Sequence, residues 1–160
     1  MGTHYEIDRL DRQILGLLLE DARMPFLEIA RKLIVSGGTI HQRVEKMKEA
    51  GIITGSKITV DYEKLGLGVT VLIGIHLRTA SAVETILENL KELPEVVEAY
   101  YTSGTYALIV KVRTRDIKDF HRFLVEELQH FDQIRYTESF ICLDQPLDRD
   151  IQLDLPPLQT

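Results

Sequence analysis

The stretch FLEIARKLIVSGGTIHQRVEKMKEAGII, residues 26–53, decides how the chain folds, because two helical periodicities meet in it around a short turn. In its second half Ile40, Val44 and Met47 are spaced four and three apart, which draws one buried stripe along a 3.6-residue period. With that stripe inward, Gly38, Thr39, Gln42, Glu45, Lys46 and Glu49 face away from it, and His41 and Arg43 lie on its two flanks. Ser36 stands where an N-cap belongs, just before the periodicity begins. A helix that enters the major groove of DNA needs small or hydrogen-bonding residues near its N-terminus to reach base edges, and cations to hold phosphates. This stretch has that order of chemistry. Taken alone, it fits equally an ordinary helical hairpin with a solvated charged face.

Charge bears on the choice. The chain of 160 residues carries a net charge of -6, which on its face argues against nucleic acid. Its distribution argues otherwise. Between Arg31 and Lys57 lie six basic residues (Arg31, Lys32, Arg43, Lys46, Lys48, Lys57) and two acidic ones (Glu45, Glu49), while the deficit belongs to residues 63–160. A phosphate backbone meets the local potential. With 44% hydrophobic and 28% charged residues, the chain has room for one compact domain or two small ones. No apolar run approaches the roughly 20 residues of a membrane span, and MGTHYEIDRL is too polar for a signal peptide, so we expect a cytoplasmic protein with no membrane partner. The lone cysteine, Cys142, sits in an apolar strand-like run and reads as a core thiol.

Upstream, Asp8 is a plausible N-cap with Asp11 in the capping-box position, and Ile7, Leu10, Ile14, Leu17 and Leu18 form the stripe of a first helix. Pro25 closes that helix and suits the first turn of the next, whose inner face is Phe26, Ile29, Ala30 and Leu33. Three such helices share one small core, giving a helix-turn-helix domain over residues 1–52. Gly51 fits a helix C′ position; IITGSKITV after it reads as strand, glycine, strand, a wing or a tether within a linker over residues 53–68.

Downstream, strands are expected over Val69–Leu77, Val96–Thr102, Tyr106–Val112 and Ile134–Leu143. Helices are expected over Ser81–Leu93, capped by Ser81 with Glu84 in the box position, and Asp116–Leu128, capped by Asp116 with Ile117, Phe120, Leu124 and Leu128 inside. A turn around Ser103 and Gly104 joins the middle strands. The order βαββαβ over residues 69–145 is the ferredoxin-like arrangement, so the fold class is α+β with a helix-turn-helix, winged-helix-like domain in front. Helices cover one face of such a sheet. Thr70, Leu72, His76, Tyr100 and Ile141 make parts of the other too apolar to stay wet, and we expect a second copy to close it as a dimer. The tail, residues 146–160, is polar and alternates Asp with Leu or Ile; it reads as running along a neighbour or as mobile.

IDRLDRQIL in the first helix, EIARKLIVSGGTIHQRVEKMKEAGIITG in the reader and EAYYTSGTYALIVKV across the second hairpin together resemble the Lrp/AsnC family, the feast/famine transcriptional regulators. The resemblance runs from Ile7 to about Pro146 and is strongest towards the asparagine-responsive branch. It implies that Ser36, Gly38, Thr39, His41 and Gln42 approach bases or nearby phosphates of double-stranded DNA, and that Arg43 and Lys46 hold the backbone. Lys48 and Lys57 are weaker phosphate candidates, and surface lysine is the plainer reading of both. It implies an amino-acid effector near the second hairpin and between dimers, with asparagine first to be tested and no other cofactor. Thr102, Ser103, Gly104 and Tyr106 offer backbone and hydroxyl groups suited to an α-carboxylate or amide. Tyr100, Gln129, Thr137 and Glu138 follow, Glu138 as partner for an α-ammonium. The same residues read plainly as hairpin and interface structure. The family also implies assembly beyond the dimer, to an octamer of four dimers.

Three positions depart from the family pattern. Ile34 stands where an inter-helix glycine is usual, and an unchanged left-handed backbone there is costly for a β-branched residue, so a local rearrangement of the turn is expected. Gly37 replaces a proline of the first helical turn, and Ala107 an aspartate after the hairpin tyrosine. For catalysis the sequence offers little: no P-loop, no GxSxG, no paired Cys or His at metal-ligand spacing, and His121 and His130 are isolated. A small ferredoxin-like enzyme with a regulatory head and a protein-interaction module without DNA binding stay open as rivals.

Overall fold

The computed structural model describes residues 5–153. They form two compact units that divide between Ile58 and Thr59, with the tail from Leu147 grouped with the first.

The first unit is built of α1 (Arg9–Glu20), α2 (Phe26–Leu33) and α3 (Gly37–Glu49). The capping box at Asp8 and Asp11 closes both ways, and Asp8 takes the Asp11 amide at 2.9 Å. Pro25 is the N-cap of α2, one position earlier than a first-turn proline, and its carbonyl accepts from Glu28 and Ile29. Ile14, Ile29, Ile40, Val44 and Met47 pack with Met24 and Ala30 into one core. Two helices end in the same way. After α3, Gly51 takes φ 71° and the Ile52 amide reaches back to the Met47 carbonyl at 2.8 Å; after α2, Ile34 takes φ 57° and the Val35 amide reaches the Ala30 carbonyl at 3.0 Å. The expected rearrangement at Ile34 therefore does not occur: the left-handed turn is kept, with a β-branched residue in it.

Of the wing and the tether that IITGSKITV allowed, no wing forms among the described residues. Residues 54–60 take no regular structure, and all four strands of the sheet come from elsewhere. Each half of IITGSKITV is too short for a stable hairpin, and Ile58 and Val60 stay exposed, so no burial drives pairing. The described part of the tail lies against α1, where a groove of about 690 Å³ is lined by Gly16, Leu19, Lys32, Ile151 and Leu153.

In the second unit a four-stranded antiparallel sheet has the order β2-β3-β1-β4, with β1 (Val69–Leu77), β2 (Val96–Tyr101), β3 (Leu108–Thr114) and β4 (Ile134–Ile141). Val71, Ile73 and Ile75 of β1 and Leu108, Val110 and Val112 of β3 point to one face, where Ile86 and Leu90 of α4 (Val83–Lys91) and Phe120 and Phe123 of α5 (Ile117–Glu126) complete the core. Several expectations are corrected here. Ser81 caps nothing: a 3-10 turn over Ala80–Ala82 precedes α4, and the Ser81 hydroxyl bonds Thr79 instead. Ile117 is exposed, being the first residue of α5, and Phe123 takes the inward place. The hairpin between β2 and β3 is wider than a tight turn at Ser103 and Gly104, because residues 102–107 form a loop closed by the Thr102 amide on the Ala107 carbonyl. Finally, Ile141 pairs with Val71 and so belongs to the helix side; Phe140, opposite Leu72, and Tyr136, opposite His76, take its place on the open face.

Candidate functional site

In the first unit the N-terminus of α3 is pre-organised by its own hydroxyls. Ser36 Oγ accepts from the Thr39 amide at 3.1 Å and lies 2.8 Å from Thr39 Oγ1, so the cap leaves Gly38, His41 and Gln42 exposed beyond it. The His41 ring leans on Phe26 of α2, with centroids 6.0 Å apart. Lys46 is exposed and makes no ion pair among the described residues, whereas Lys48 is held by Glu45 at 2.9 Å. Lys57 lies in the irregular linker, away from any helix.

Arg43 is occupied differently from what the resemblance implies. Its Nη1 lies 2.5 Å from Asp8 Oδ2 and 3.3 Å from both oxygens of Asp11, a carboxylate with no exposed surface. Asp11 also accepts from the Asp8 amide and from the Tyr5 hydroxyl, each at 3.1 Å. The Asp11 amide, and then Arg43, hold the Asp8 carboxyl below the ordinary aspartate range; the hydrogen bond to Asp8 raises the Arg43 guanidinium further. Nothing in the spacing of α3 shows this, since both acids lie more than thirty residues upstream.

On the open face of the sheet, Gly74 of β1 makes the room that the candidate effector site uses. A Cβ there would come within 2.4 Å of the Tyr106 ring. Tyr106 lies over that gap and donates its hydroxyl to Glu138 of β4 at 3.0 Å, a bond that raises the phenol above its ordinary range. His76 stacks on Tyr136 at 3.9 Å and meets the edge of Tyr106 at 4.9 Å. Its Nε2 is buried without a hydrogen bond among the described residues, 3.9 Å from Glu138. A carboxylate framed by aromatic rings suits an ammonium group, and the adjoining loop supplies hydroxyls and amides.

The expected effector residues divide accordingly. Thr102 donates to the Tyr106 carbonyl, and Ser103 and Gly104 are exposed at the loop tip, so these join Tyr106 and Glu138. Tyr100 is on the open face but donates to Glu98, which Lys111 also holds at 3.1 Å; the Tyr100 bond first, then Lys111, keeps Glu98 below its ordinary range. Thr137 faces the other way, paired with Ile75, and Gln129 lies in the 3-10 turn after α5. The sequence reading missed Gly74, Tyr136 and Phe140. Their period-two spacing with His76 and Glu138 is the signal that finds them, once the register of β4 is known.

Among the described residues no cluster of His, Cys, Asp or Glu is able to hold a metal ion, and no helix is long and apolar enough to cross a membrane. Residues 7–48 match the AsnC-type helix-turn-helix domain and residues 69–151 the Lrp/AsnC ligand binding domain. A DNA-reading head joined to a ligand-binding domain defines a transcriptional regulator. The chain is 45% identical to regulatory protein AsnC of Haemophilus influenzae over 92% of its own length and 99% of the relative's, and 46% identical to that of Escherichia coli over 93% and 98%. The chain belongs to the Lrp/AsnC family of transcriptional regulators. Its fold superposes on the structure of E. coli AsnC with a TM-score of 0.88 at 45% identity, covering 92% of this chain and 99% of that one. A Neisseria meningitidis regulator solved as a complex with L-methionine shares the fold, with a TM-score of 0.86 at 21% identity, covering 90% and 94%.

Proposed function

We propose that this regulator binds double-stranded DNA through α3 and answers to a small amino acid, asparagine before others, held on the open face of its second unit. Gly38, His41, Gln42 and the capped pair Ser36 and Thr39 face base edges, and Lys46 holds phosphate. The observation that carries the effector reading is the Glu138 carboxylate beside the unpartnered His76 Nε2, with Tyr106 above Gly74 and the 102–107 loop next to it. In this reading Glu138 takes the α-ammonium, and loop amides and Thr102 take the carboxylate or side-chain amide. The match of residues 69–151 to a ligand binding domain and the methionine complex of the Neisseria protein support an amino acid as ligand.

The protein works as a dimer closed over the open face and assembles further, to an octamer of four dimers, in the cytoplasm. An amino acid shifts assembly or the placement of the reading heads only by its differential affinity for the two states. Calorimetric titration tests the reading: asparagine is expected to give saturable heat that Glu138→Gln abolishes. No heat from any of the twenty amino acids would remove the effector site.

A further inference from the structure

Arg43 of α3 reaches the N-terminus of α1 and meets a hydrogen-bonded cluster there. The fully buried Asp11 carboxylate receives the Asp8 amide, the Tyr5 hydroxyl and Arg43; Asp8 receives the Asp11 amide on one oxygen and Arg43 on the other. Every donor is directed at a carboxylate, so the arrangement is charge-assisted and specific in direction. The buried core stripe of Ile40, Val44 and Met47 sets which face of α3 turns inward. A guanidinium tied to two fixed acids adds directional bonds that narrow the remaining rotation.

We infer that Arg43 and Asp11 are positioning residues of the DNA reader: they set the rotation at which α3 presents Gly38, His41 and Gln42, and Arg43 makes no phosphate contact. The inference rests on α3 being the reader. It has an unusual electrostatic consequence. Removing a negative charge close to DNA strengthens binding if charge alone matters, because each acid repels phosphate. Here Asp11→Asn weakens it.

The test uses full-length protein and two duplexes, one that the wild-type protein selects from a random pool and a scrambled one. Asp11→Asn and Arg43→Ala are each expected to weaken the selected duplex about ten-fold, to leave the scrambled duplex nearly unchanged, and to leave the salt slope as it is. The double variant is expected to be no worse than either single one. Lys46→Ala, the phosphate control, weakens both duplexes and lowers the slope by about 1 per contact. Equal or tighter binding by folded Asp11→Asn overturns the inference, and so does a slope for Arg43→Ala that falls as it does for Lys46→Ala. Should Asp11→Asn not fold, Tyr5→Phe removes one donor from the same carboxylate without stranding a charge; it is expected to weaken only the selected duplex, by about three-fold, and no effect overturns the inference. If the wild-type protein selects no duplex, what fails is the reading of α3 as the reader.

Discussion

At φ 57° and ψ 47°, Ile34 occupies the left-handed region where a Cβ crowds the following carbonyl, at a cost of about 1–2 kcal/mol. Its side chain is 91% exposed, so nothing is recovered by burial. The strain persists because the turn answers to its neighbours: the Val35 amide must reach Ala30, and the chain must then present Ser36 as the cap of α3. Replacing Ile34 by Asn, which tolerates this geometry through its short polar side chain, is expected to stabilise the first unit by about 1 kcal/mol. Ile34→Gly gains less, because glycine also loosens the unfolded chain by roughly 0.5–1 kcal/mol. Urea unfolding measures both; a lower midpoint for Ile34→Asn would mean that the side chain has a contact here unaccounted for. At this scale the sequence was partly legible. The oddity of Ile34 was visible only against the family pattern, where a glycine is usual at that turn, and whether the backbone would yield or the residue would strain depended on bonds between Ala30 and Val35. The pairing of Arg43 with Asp8 and Asp11 left no trace in local pattern at all.

Elements were more legible than their edges. Caps that act within three residues, at Asp8, Ser36 and Asp116, were readable because donor and acceptor lie on one turn of chain. Ser81 was not, since the 3-10 turn over Ala80–Ala82 shifts the start of α4 by two residues, and nothing local distinguishes the two starts. Period-two alternation identified β1 and its inward face, whereas the open face was misassigned at Ile141 because its side depends on register with Val71. Gly74 shows the same limit: a glycine inside a strand signals close approach by something, and only the fold names Tyr106. A methyl group there has to displace the ring, so Gly74→Ala is expected to destabilise the second unit by about 1–3 kcal/mol. In a Tyr106→Ala background the same change should cost little, a coupling of at least about 1 kcal/mol by double-mutant cycle in thermal unfolding. Additive effects of the two substitutions would show that the ring does not depend on that gap.

Taken whole, the chain has an apolar sheet face whose charges nearly cancel, although the residues around it are acidic. On the open face the register puts Glu98 opposite Lys111, Glu138 opposite Gly74 and Arg113 opposite Thr70, two charges of each sign, so the deficit of residues 63–160 sits elsewhere and does not oppose the approach of a second copy. Leu72, Tyr100, Tyr136 and Phe140 are each between 37% and 55% exposed there, which gives an apolar centre with a polar rim, the anatomy of a protein interface. The proposed closure of a dimer over this face would also bear on DNA, because two reading heads related by a two-fold axis would engage two half-sites at fixed spacing. Phe140→Asp tests both levels. Phe140 lies outside the buried core of the sheet, so each copy is expected to keep its far-ultraviolet dichroism and most of its stability. A carboxylate introduced into an apolar interface centre is desolvated when the copies close, and the variant is expected to sediment as a single chain at micromolar concentration. Binding to a two-half-site duplex should then fall by more than ten-fold, towards that of one head on one half-site. If Phe140→Asp sediments like the unaltered protein, the copies meet through some other surface, and the exposed rings belong to the effector site alone.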